Sequence, residues 1–133
     1  MFNEHLKIMK DSYGYLFEIE NLLRKFVGIN MNFEFGVNWI IVAKKINKNN
    51  VTKKDFHSLN FHELITYIGI FECLSSKIPN ELLLSLKGLT DIRNKIAHNI
   101  ILNIMEAKRL HNIYEEVIDH FNIMNFESMW IYY

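Results

Sequence analysis

Cysteine and proline are almost missing from this chain. Cys73 is the single cysteine among 133 residues, so an intramolecular disulfide and a thiolate metal cluster are both excluded, and a reducing intracellular setting is expected. Pro79 is the single proline. Long uninterrupted helices follow, because an interior proline removes a helical hydrogen bond and clashes with the preceding turn. Net charge is missing too: 15 Lys and Arg balance 15 Asp and Glu. A broad basic face for nucleic acid is therefore not indicated, and an RNA contact is expected to use a local positive pocket. No apolar run approaches the ~20 residues of a membrane span; the best, Trp39 to Ala43, is short. Met1 to Lys7 carries charges where the apolar region of a secretory signal belongs. The expectation is a soluble cytoplasmic protein without membrane contact, folded as one domain over residues 1–133.

What is present is helical periodicity. Over residues 5 to 27, Leu6, Met9, Tyr13, Leu16, Leu23 and Val27 recur by threes and fours. Ile8, Tyr15, Ile19, Leu22 and Phe26 form an adjoining stripe, and Gly28 reads as the C-terminal stop. Glu20 interrupts the first stripe. A carboxylate on a buried seam needs a partner, and Arg24, four residues on, supplies one on a half-wet edge; the alternative is that Glu20 supports a functional site. Residues 28 to 36 read as a connector. Val37 to Ile46 reads as a helix, although its β-branched run also suits a strand. Lys45 to Asp55 reads as a solvated loop.

Asn60 is placed to cap a third helix reaching Cys73, with Phe61, Leu64, Ile65, Ile68 and Phe71 inward. Pro79 suits the first turn of a fourth, carrying Leu82, Leu86, Leu89, Ile92 and Ile96. Asn103 followed by Glu106 has the shape of a capping box for a fifth, with Ala107, Leu110, Tyr114, Val117 and Phe121 inward. Met124 to Tyr133 is aromatic-rich and reads as a docking tail or a dimer contact. The sum is an all-α antiparallel bundle of about five helices.

Arg93-Asn94-Lys95-Ile96-Ala97-His98 is the segment that carries chemistry. On a helix turning about 100° per residue, Asp91, Asn94 and His98 share one strip, whereas Arg93 points roughly 140° from His98. The two converge only if the arginine stem bends round, if the helix ends near Ala97, or if two copies face each other across a two-fold axis. Attack of a ribose 2′-hydroxyl on its own phosphate needs a base, an acid and a cation for the developing charge. Histidine serves either proton role near neutral pH, and arginine offers a planar fork to phosphate oxygens. Asn94 is placed to orient either group. The scheme asks for no metal and no cofactor. The competing view is that an arginine and a histidine this far apart simply decorate a solvated helix face.

With its apolar run-in, Leu86 to His98 resembles the motif of the HEPN superfamily, all-α domains marked by an arginine and a histidine a few residues apart, often as R-N-x-x-A-H. A long first helix bearing Glu20-x-x-Leu23-Arg24, a motif late in the chain and a closing helix are similar in order. The resemblance implies a metal-independent endoribonuclease acting as a homodimer, with both motifs lining one cleft. It further implies a toxin of a toxin–antitoxin pair, whose partner is an antitoxin protein, or an effector of abortive phage defence. By position Arg93 holds phosphate, His98 is the acid and base, and Asn94 is the polar second residue, with Glu20, Asp91 and Arg24 supporting. One branch of the family has a tyrosine two residues after the histidine, where this chain has Ile100. The alternative is a catalytically inactive HEPN-like module that binds RNA or a protein partner. A third reading is an inhibitor that acts through its aromatic tail.

Other candidates carry less. His57 and His62 lack zinc-protease spacing, and Ser75-Ser76 lacks a nucleophile elbow. His111 and His120 read as surface residues. Lys44, Lys45, Lys48, Lys53 and Lys54 read as a solvated cluster rather than an RNA contact. Tyr13, Tyr15 and Trp39 read as core or interface residues rather than base-stacking platforms.

Overall fold

The apolar stripes of the first segment produce a helix longer than expected. In the computed structural model, which describes residues 2–46 and 56–123, α1 runs Phe2–Phe35 without interruption at Gly28. An interior glycine costs a helix about 1 kcal/mol. Here Phe26, Val27, Ile29 and Met31 are all buried around it, and their packing outweighs that cost. Residues 28 to 35 are therefore helix, not connector. The true stop is Gly36, at φ +89°, whose N–H donates to Asn32 O at 2.8 Å. The chain then turns by 82° into α2, Trp39–Ile46, so the helical alternative holds for that segment.

A 3₁₀ turn, Phe56–Ser58, precedes α3, Phe61–Ile70. Asn60 and Glu63 cap α3 reciprocally, the asparagine side chain accepting from Glu63 N–H and the glutamate accepting from Asn60 N–H. The five residues expected inward on α3 are all buried. The helix does not reach Cys73: Phe71 adopts an extended conformation, and a one-turn α4, Glu72–Ser75, follows. Pro79 is the N-cap of α5, Asn80–Lys87. The expected fourth helix is also broken, with α6, Thr90–Ala97, starting after a joint at Gly88 and Leu89. The joint keeps Leu82, Leu86, Leu89, Ile92 and Ile96 buried together, and it lets Arg109 of the closing helix lie where a Gly88 side chain would stand. The closing helix, α7, spans Ile104–Ile123 with Leu110, Ile113, Val117 and Phe121 inward; Ala107 and Tyr114 are half-buried. No strand occurs among the described residues, and the fold is an all-α bundle.

Directions within the bundle follow from the partners. Tyr15 packs on His111 and Tyr114, and Phe26 on Phe121, so α1 and α7 run the same way side by side. Tyr114 donates its hydroxyl hydrogen to Glu18, which pushes the phenol up to about 12. The α5–α6 arm returns antiparallel to both long helices, with Leu102 beside Met9 and Lys95 beside Glu106. An aromatic group of Trp39, Phe56, Tyr67, Phe71 and Phe35 closes the far end. The Tyr67 hydroxyl is buried there without a hydrogen-bond partner among the described residues; burial first and Glu63 second push it up to about 12.

Two expectations about α1 are corrected. Leu6 and Tyr13 belong to its apolar stripe but are 44% and 61% exposed; of the stripe ahead of Leu16, Met9 alone is half-buried, against Leu102. Residues 47 to 55 and 124 to 133, which include most of the lysine cluster and the aromatic tail, lie outside the described residues. Among the described residues, no single helix is long and apolar enough to cross a membrane.

Gly14 inside α1 and Gly36 just past its end both have open surroundings and should respond oppositely to alanine. Gly14 is helical with nothing near its would-be Cβ, so Gly14→Ala should raise the urea midpoint, by about 0.5–1 kcal/mol in stability. Gly36→Ala should lower it by about 1 kcal/mol, because its φ of +89° strains any side chain. Equal shifts of one sign would contradict this placement of the helix end.

Candidate functional site

The motif helix ends as its backbone hydrogen bonds dictate. His98 is the C-cap of α6 and Asn99 follows at φ +58°. Asn99 N–H donates to Ile96 O at 3.1 Å and Ile100 N–H to Lys95 O at 2.8 Å. That pair of bonds is a Schellman motif, with asparagine in the left-handed position usually held by glycine. Of the geometries open to the sequence, the structure therefore has the helix stopping at Ala97, and His98 leaves the helical path.

Arg93 and His98 consequently meet different surroundings. Arg93 is half-buried and lines a groove of about 310 Å³ between α1 and α6, shared with Tyr13, Leu16, Phe17, Glu20, Ile96, Ala97 and Asn99. His98 and Asn94 are exposed and do not line that groove, and Asp91 is exposed on the first turn of α6. The side chains of Arg93, Asn94 and His98 make no hydrogen bond or ion pair among the described residues. Arg93 thus sits partly desolvated beside a carboxylate-bearing helix without being neutralised by it.

Glu20 and Arg24 pair as the i,i+4 spacing suggests, at 3.8 Å. Glu20 reaches the groove. Arg24 turns away, donating to Leu59 O at 2.6 Å and to Asn21 Oδ1 at 3.3 Å, so it fastens α1 to the approach of α3. Of the six expected site residues, Arg93 and Glu20 come together in one groove, whereas Asn94, His98, Asp91 and Arg24 do not line it.

Lys95 has a structural role inside the motif. It donates to Glu106 at 2.6 Å, while Asn103 and Glu106 form the capping box expected for the closing helix. Lys95 and then the Asn103 N–H hold the Glu106 carboxyl below the usual glutamate range. This contact pins the end of α6 to the start of α7. Beyond it, Ile100, Ile101, Ile104 and Met105 form an exposed apolar run next to His98. Among the described residues, no three His, Cys, Asp or Glu side chains are grouped so as to hold a metal ion.

Phe17 is the groove residue that the sequence does not single out, and Tyr13 reads as core or interface. Asn99 had a usable signal, since asparagine directly after an apolar helix is a common left-handed cap. Phe17 had none beyond its position four residues after Tyr13.

The cap should be sensitive to side-chain shape. Asn99→Gly should be neutral or stabilising, whereas Asn99→Val should cost about 1–2 kcal/mol by thermal unfolding, since a β-branched residue resists positive φ. The Glu106 contact should show in acid. A carboxyl with a lowered folded-state pKa stabilises fully above its ordinary value of 4.5 and loses that contribution as pH falls below it. Glu106→Gln should therefore be less stable at neutral pH, with a shallower fall in urea midpoint between pH 5 and 3. Superimposable acid limbs would remove the contact from consideration.

Compared with protein-family models, curated proteins and solved structures, the chain matches none.

Proposed function

We propose that the protein is a metal-independent endoribonuclease of HEPN type, cutting RNA at a composite site formed by two copies of the chain. The observation that carries this reading is the free state of the motif. A half-buried guanidinium and a nearby imidazole flank one helix end, and neither has a partner among the described residues. A buried structural arginine is normally paired; an arginine without an internal counter-ion offers its fork to an anion.

The chemistry balances without a redox or metal step. The 2′-oxygen bonds to phosphorus, the bond from phosphorus to the 5′-oxygen breaks, and the products are a 2′,3′-cyclic phosphate and a 5′-hydroxyl. One imidazole takes the 2′-hydroxyl proton and a second gives a proton to the leaving oxygen. Two His98 side chains, one from each copy, fill both roles. Arg93 binds the phosphate oxygens as charge builds on them. Asn94, on the exposed side of α6, orients substrate or imidazole, and Glu20 with Arg24 supports Arg93 from α1. The apolar run from Ile100 to Met105 supplies a self-complementary contact beside His98. A toxin with an antitoxin partner, or a phage-defence effector in the cytoplasm, is the role that fits such an enzyme.

One observation favours the alternative, a catalytically inactive helical module binding RNA or a protein partner: within a single chain His98 lies outside the groove that Arg93 lines. Inducible expression in bacteria separates the two. Wild type should arrest growth and leave RNA fragments ending in cyclic phosphate. His98→Ala should lose cleavage by at least ~100-fold while keeping helical content and sedimentation unchanged. Cleavage surviving in His98→Ala would sink the nuclease mechanism. Intact RNA with wild type, and loss of dimer in Arg93→Ala, would establish the binding module.

A further inference from the structure

The groove that holds Arg93 has a second component that ribonuclease chemistry does not require. Tyr13 and Phe17 stand one turn apart on α1, 61% and 57% exposed, with ring centroids 6.3 Å apart and planes within 26° of parallel. Exposed aromatic pairs are costly to leave in water, and among the described residues no other helix covers either ring. They border the same groove as Arg93, Glu20 and Asn99. Glu20 is held by Arg24 at 3.8 Å, and Arg93 makes no ion pair among the described residues, so its guanidinium remains available to an anion.

We propose that Tyr13 and Phe17 form the platform on which an unpaired base of single-stranded RNA stacks, with the phosphate of that nucleotide against Arg93. The inference rests on the RNA-directed reading above and names the form of its substrate. Every base has a π-face, so an aromatic ledge binds single strands with little sequence preference, and a base held in a duplex cannot reach it. Glu20 and Asn99 line the same groove and add polar groups within it. A groove combining flat aromatic rings, a guanidinium without an ion pair and polar groups matches a nucleotide better than an aliphatic protein surface. The aliphatic exposure of this end of the molecule lies instead along Ile100, Ile101, Ile104 and Met105.

The test uses the full chain carrying His98→Ala, which preserves the RNA, and a short single-stranded oligouridylate with one central 2-aminopurine. Stacking quenches 2-aminopurine emission, and anisotropy of a terminal dye gives affinity. Replacing both rings with leucine keeps apolar area and helix propensity but removes the π-faces. The Tyr13→Leu, Phe17→Leu double variant should bind at least ~5-fold more weakly and lose the quench, the lower bound for removing a base–aromatic stack. Tyr13→Phe should behave as the parent. Unchanged affinity and quench in the double variant, with RNA still cut when His98 is restored, would overturn the platform and leave the nuclease reading standing. No RNA binding by the parent would overturn both. A double variant that sediments as monomer where the parent is a dimer would assign the face to a contact between copies and overturn the platform.

Discussion

The apolar face of α1 between Leu16 and Met31 is the surface on which the other helices assemble. Ile19, Leu23, Phe26, Val27 and Met31 are fully buried along it, each worth roughly 1.5–3 kcal/mol relative to exposure. α3 and α4 cover its C-terminal half, α7 runs beside it, and α6 meets it at Leu16 and Glu20. Because the face continues past Gly28, Asn30 is carried into the interior. There its amide donates to Phe26 O at 2.8 Å and its oxygen accepts from Lys77. Lys77 O in turn lies 2.9 Å from His120 Nε2. One asparagine on α1 thus links the approach to α5 with the end of α7, and His120, expected on the surface, is half-buried in that link.

The site inherits its character from what this scaffold leaves uncovered. Where α1 extends ahead of Leu16, α7 covers the flank bearing Ile8 and Tyr15, and the α6 end covers another; the strip bearing Tyr13 and Phe17 stays open. Arg93 emerges at the floor of the gap. Among the described residues Lys95 is held by Glu106 and Arg24 by Glu20, whereas Arg93, the cation lining this gap, makes no ion pair. Local pairing, rather than composition, decides which cation is available to an anion.

Legibility in the sequence tracked how local the deciding interaction was. The two reciprocal caps at Asn60 and Asn103 were readable because they span four residues. The buried stripe from Leu82 to Ile96 was readable from its spacing, yet the break at Gly88 within it was not, because that joint answers to Arg109 from another helix. Gly28 misled for a similar reason: propensity marks it as a stop, and the core on either side overrides propensity. At the site, the Glu20–Arg24 pair was readable from its i,i+4 spacing, while the helix end near Ala97 was one of three geometries the sequence left open. Phe17 beside Arg93 was not readable, since their approach depends on how α6 crosses α1.

The parallel seam between α1 and α7 bears on how the molecule reaches its native state. Tyr114 and Glu18 are joined across 96 residues of sequence, and Phe26 meets Phe121 in the same seam. Contacts of that separation form late, after the loop-closure entropy of the intervening chain has been overcome. During synthesis α3 and α4 can cover the C-terminal half of the α1 face, but the flank that packs on α7 stays bare until α7 has left the ribosome. In that interval the nascent chain is a natural client for chaperones, and ribosomes stalled before α7 would release an aggregation-prone fragment in place of a partly active protein.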